Sequence, residues 1–149
     1  MAFRFPLQSL LRFRQSLEHH EQMLLQAANQ KVSEVRRKID SLEQCQNRRS
    51  DLQRQGLSAG LSGAELQFDT LCNAALEDYR HVLENELVQL EKLRDKQEEV
   101  FRRARMQREI LESIRDVQLR AYQAEKNRRE QRSLDDLFLM RREFLRREH

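Results

Sequence analysis

Apolar residues recur along the first third of the chain at Leu7, Leu10, Leu17, Leu24, Ala28, Val32, Val35, Ile39 and Leu42, with Arg14 and Glu21 as polar members of the same stripe. The steps are threes and fours and average about 3.5, the coiled-coil period rather than the 3.6 of a straight helix. Two successive steps of four, at 24–28–32, predict a small local unwinding. A second stripe runs Leu76, Tyr79, Leu83, Leu87, Leu90, Leu93, Gln97, Val100, Ala104, Leu111, Ile114 and Ala121, with the same mean step. Off that stripe, Glu98–Arg102, Glu99–Arg103, Asp116–Arg120 and Glu125–Arg129 have the acid-first spacing of four that supports a helix by about 0.2–0.5 kcal/mol per pair.

Punctuation is concentrated in one place. All three glycines, Gly56, Gly60 and Gly63, fall in a single Gly/Ser-rich stretch, and the lone proline is Pro6, which a helix tolerates in its first turn. Ser62 and Glu65 have the spacing of a capping box. The pattern therefore predicts an all-α chain: helix 1 over about 6–54, a linker over about 55–62 and helix 2 over about 63–146, in one domain spanning 1–149. A short linker makes the helices antiparallel neighbours. The expected fold is an antiparallel two-helix coiled-coil hairpin with a longer C-terminal helix, about 70 Å against about 120 Å at 1.5 Å per residue.

If the fold-back centres near residue 59, Leu7 faces Leu111, and everything beyond about residue 113 lacks a partner in its own chain. That overhang still carries Ile114, Val117, Leu119, Tyr122, Leu134, Leu137, Phe138, Met140, Phe144 and Leu145. A lone helix cannot bury them, so they call for a partner.

Composition narrows the function. Of 149 residues, 38% are hydrophobic and 36% charged, too few and too many for an ordinary α/β enzyme core. No uncharged apolar run approaches the roughly 20 residues of a membrane span. Arg12 and Arg14 interrupt the N-terminus before a signal-peptide core can form, so a cytosolic chain with reduced Cys45 and Cys72 is expected. Residues 102–149 hold 14 Lys/Arg against 9 Asp/Glu, whereas residues 1–101 hold 14 against 16. The basic end interleaves Arg with Glu, unlike the nearly pure basic block of a DNA-binding helix, so no nucleic-acid partner is expected.

Candidate chemistry is sparse. No glycine loop is followed by the Lys of a phosphate cradle. His19, His20 and Glu21 are adjacent on a helix and diverge, so they do not converge on a metal. Cys45 and Cys72 fall in facing layers, as small packing residues or, as alternatives, a redox pair or a metal site. No catalytic, cofactor-binding or metal residues are expected, and the chain reads as a non-enzyme.

The opening Phe3-Arg4-Phe5-Pro6-Leu7-Gln8-Ser9-Leu10-Leu11-Arg12-Phe13-Arg14 resembles the start of FliJ proteins: aromatic-x-aromatic, x-Leu-Gln-x-Leu-Leu, then a basic residue. The segment Glu125 to Leu137, a charged helix running into Leu134-Asp135-Asp136, is similar to that family's closing segment. The resemblance covers essentially the whole chain. It implies a central-stalk-like coiled coil of the flagellar type III export apparatus, serving flagellum biogenesis and thereby chemotaxis. It implies as partners the hexameric export ATPase FliI, the export-gate protein FlhA, FliH and export chaperones. It implies a cytoplasmic location, peripheral to the inner face of the cell membrane, without membrane insertion. An injectisome stalk protein and a generic coiled-coil scaffold are the alternative readings. On this resemblance the unpaired end, with Phe3, Phe5, Leu7, Leu10, Leu11, Leu134, Leu137, Phe138 and Met140, is expected to meet the ATPase ring. The loop end, with Leu42, Cys45, Phe68, Leu71, Ala75 and Tyr79, is expected to meet the gate.

Overall fold

The structure, a computed structural model, describes residues 2–149. It is an all-α helical hairpin made of α1 (Gln8–Ala59) and α2 (Gly63–Arg147). The connection is shorter than the glycine cluster suggested. Gly56 and Leu57 remain in α1 because Leu61 folds its side chain over Gly56, so closely that a Cβ there would lie 2.8 Å from the Leu61 Cδ1. Gly60, at φ +86°, supplies the left-handed residue that ends α1. Ser62 and Glu65 then close the expected capping box. The Glu65 amide donates to the Ser62 hydroxyl at 3.3 Å, and the Ser62 amide donates to the Glu65 carboxylate at 3.2 Å.

The chain divides into two units. The loop unit, His19–Arg103, is held by a core of Val35, Leu42 and Leu83, with Ile39, Leu76, Leu87 and Leu90 packed against it. The inward positions of α1 here are Glu21, Leu25, Ala28, Val32, Val35, Ile39, Leu42, Gln46 and Arg49, an unbroken alternation of fours and threes. The expected unwinding at 24–28–32 is absent, because Leu25 rather than Leu24 turns inward and restores the repeat. On α2 the inward positions are Leu76, Arg80, Leu83, Leu87, Leu90, Arg94, Gln97 and Phe101. Tyr79, Leu93 and Val100, expected on the seam, lie exposed beside it.

Polar seam members are paired rather than stranded. Gln97 donates to the Glu21 carbonyl oxygen at 3.2 Å and also to its carboxylate. Arg80 reaches Glu43 at 2.6 Å and Glu84 at 3.0 Å. Arg49 pairs with Asp69 at 3.4 Å, and Arg36 with Glu91 at 2.9 Å along one flank. Falling numbers on one helix meet rising numbers on the other, which makes the packing antiparallel.

The terminal unit joins the start of the chain, through Glu18, to Ala104–His149. Its core is Phe5, Leu11 and Leu111, with Phe3 packed against it. Leu111 therefore meets Leu11 and Phe5, a different partner from the expected Leu7, which is exposed. The turn lies at 60–62 rather than near 59, which shifts the facing register from Leu7 to Leu11, and the segment before α1 adds to it. Residues 2–5 are non-helical, and the Gln8 amide bonds back to the Phe5 carbonyl at 3.1 Å. This directs Phe3 and Phe5 along α2, where the Phe3 ring sits 5.6 Å from that of Tyr122. Leu119 and Tyr122 become half-buried, so the exposed stretch begins at residue 123 rather than 113.

Candidate functional site

No polar or charged side chain is buried among the described residues, and the candidate sites are exposed surfaces. Among the described residues no group of three or more His, Cys, Asp or Glu is placed to hold a metal ion. No helix is long and apolar enough to cross a membrane. The strongest electrostatic features are two arginine clasps. The Arg108 guanidinium is held above its ordinary pKa, first by its hydrogen bond to Glu18, which outweighs the opposing effect of burial, and further by Glu112. Arg80 is shifted the same way, first by Glu84 and, through charge, by Glu43. Both clasps tie α1 to α2 through an ion pair.

The first surface is the end of α2. Every residue from 123 to 149 is exposed. Continuing the inward heptad past Tyr122 gives Glu125, Arg129, Arg132 and Asp136, so the seam chemistry stops there. Apolar side chains return on another face: Leu134, Leu137, Phe138, Phe144 and Leu145, each at least half exposed. Met140 lies at one edge of that face and Leu139 off it. The α2 stripe thus changes face between Tyr122 and Leu134, a change an apolar tally does not reveal.

The residues expected at this end split into three groups. Phe5 and Leu11 are core, buried against Leu111. Phe3 is half-buried beside them, and Leu7 and Leu10 are exposed on the same short stretch. Leu134, Leu137, Phe138 and Met140 lie beyond, on the unpaired stretch. Tyr122 and Leu134 are about 18 Å apart along the helix. Phe3, Phe5 and Leu11 therefore brace the base of the overhang.

The second surface is the start of α2. Phe68, Leu71 and Ala75 point outward at helical spacing, and Val82 continues the row. Phe68 and Leu71 are 65% and 70% exposed, which no core residue of this unit approaches. Tyr79 is exposed between this row and the seam. Leu42 is buried in the core behind it, whereas Cys45 is exposed on α1. Val82, Leu52 and Leu57 are exposed apolar neighbours that the sequence reading did not single out. The signal for Val82 was available, since it stands seven residues after Ala75.

The described residues thus form a charged helical hairpin with two exposed apolar faces. The chain is a member of the flagellar FliJ protein family, whose family model matches residues 3–148. It is thus a flagellar export-related protein. Neither a curated protein nor a solved structure matches it.

Proposed function

We propose that this protein is a non-enzymatic coupling component of the flagellar export apparatus, which docks its unpaired α2 end in the ring of the export ATPase FliI, stimulates ATP turnover and presents its loop end to the export gate FlhA. The observation that supports this reading is the exposed α2 stretch from 123 onward, whose apolar face is left uncovered by the described residues. Burying one such side chain contributes roughly 1.5–3 kcal/mol, so several together outweigh the cost of ordering the end of a helix. Family membership supports the export setting. The Phe68–Leu71–Ala75 row offers a second, separate face, which suits a chain with two partners. In this role the protein works in the cytoplasm, peripheral to the inner face of the cell membrane, with FliH and export chaperones as further partners.

The experiment is ATP turnover by the purified export ATPase with and without the chain. Stimulation by the full chain and its loss on deleting residues 123–149 are expected. Equal stimulation by the deleted chain would overturn ring docking through this end, and a chain that never alters turnover would leave only a scaffold.

A further inference from the structure

The apolar face at the end of α2 has a cation at its centre. The side chains three and four residues either side of Arg141 are Leu137, Phe138, Phe144 and Leu145, all exposed. No carboxylate lies within helical reach of Arg141. Among the described residues it makes no ion pair and no hydrogen bond. Six other arginines of α2, Arg80, Arg102, Arg103, Arg105, Arg108 and Arg129, each pair with a glutamate four residues away. Several more, Arg132 and Arg142 among them, lack an ion pair as Arg141 does, but Arg141 is the α2 arginine whose four neighbours at three and four residues are all apolar. A guanidinium ringed by four apolar side chains would be stranded if those side chains were buried against a purely apolar surface.

We infer that the α2 end docks in an apolar protein groove carrying an Asp or Glu at its centre, and that Arg141 pairs with that carboxylate and sets the register of docking. This rests on the ring-docking reading above and adds the chemistry of the surface that receives the helix. Two other occupants fit poorly. A second copy paired parallel in register sets Arg141 against Arg141, and the stripe is shorter than the three to four heptads of a sustained coiled coil in either orientation. An anionic membrane surface recruits clusters of uncompensated Lys/Arg. Residues 134–149 instead balance Arg141, Arg142, Arg146 and Arg147 with Asp135, Asp136, Glu143 and Glu148.

The test measures binding of the full chain to the purified export ATPase across a range of salt. Four variants are compared: Leu137→Ser with Phe138→Ser, Arg141→Met, Arg141→Lys, and Arg132→Met on the opposite face of the helix. Methionine keeps the apolar stem and removes the charge, so a purely apolar groove would bind Arg141→Met as well as the parent or better. A desolvated charge-assisted pair predicts weakening by about ten- to a hundredfold with a shallower salt dependence. Arg141→Lys should lose less, and Arg132→Met should bind as the parent does. If the Leu137/Phe138 variant loses binding while Arg141→Met does not, the carboxylate groove is wrong and ring docking stands. If the Leu137/Phe138 variant binds normally, ring docking through this face fails and takes the inference with it. Self-association, or capture by vesicles of anionic lipid, that Arg141→Met abolishes would assign the residue to another occupant and overturn the inference.

Discussion

Glu18 on α1 and Arg108 on α2 clasp each other across the seam, and each keeps less than a fifth of its side chain exposed. Arg108 also reaches Glu112, one turn on, at 2.6 Å. Removing one partner strands the other, whereas replacing both with apolar side chains is often neutral or stabilising. Glu18→Leu or Arg108→Met alone should cost about 1–3 kcal/mol in thermal unfolding, and the double variant should recover most of it. The guanidinium is held above its ordinary pKa, so its contribution is complete below that value and fades only as the pH rises past it. The Arg108→Met penalty should therefore be the same at pH 7 and pH 9.

Cys45 and Cys72 each stand one residue before a seam position, Gln46 and Asn73. In an antiparallel pair such positions line the same flank, opposite the one bridged by Arg36 and Glu91. Both thiols are free, and a disulfide requires Cα atoms within about 7 Å. Mild oxidation of the dilute protein should give an intramolecular crosslink, seen as faster migration on a non-reducing gel. Crosslinks only between molecules would contradict this pairing.

The loop glycines should respond oppositely to alanine. Gly60 has a left-handed backbone, where a Cβ costs roughly 1–2 kcal/mol, so Gly60→Ala should lower the melting temperature. Gly63 opens α2 with nothing near a would-be Cβ, so Gly63→Ala should be neutral or stabilise by up to about 1 kcal/mol. Matching losses at both positions would mean that Gly60 does not form the cap.

The loop-end face should separate binding from stability. Phe68→Ser with Leu71→Ser removes side chains that lie outside the core, so unfolding should move by no more than about 0.5 kcal/mol per site. Binding to the export gate should fall. Leu42→Ser instead opens the core, and any loss of gate binding there should track the loss of helicity.

The helix count, the capping box and the overhang were legible in the sequence because each rests on local chemistry: a 3.5 repeat, a Ser-x-x-Glu step and a mismatch in length. Arg14, Glu21 and Gln97 were legible as polar seam members because they keep the spacing. The phase of the seam was not. Leu24, Leu93 and Val100 lie on the flank, while Arg80, Arg94 and Arg108 occupy the seam, so apolar character alone selects the wrong neighbour. What decides is the partner across the interface, Glu43 for Arg80 and Glu18 for Arg108, which no single helix reveals. The exposed apolar faces were partly legible. Phe68, Leu71, Leu134, Leu137 and Phe138 are exposed, but Phe5, Leu11 and Leu42 are apolar for the sake of the hairpin itself.

The change of face on α2 after Tyr122 has a kinetic corollary. Its later apolar stripe does not follow the groove that the first helix occupies, so fraying, slippage or even an artificially lengthened α1 would not zip over it. A partner arriving at Leu134–Leu145 thus competes with no internal copy of itself. Its apparent affinity is not divided by the fraction of molecules in an open state, and capture and release at this end can cycle without unpairing the seam.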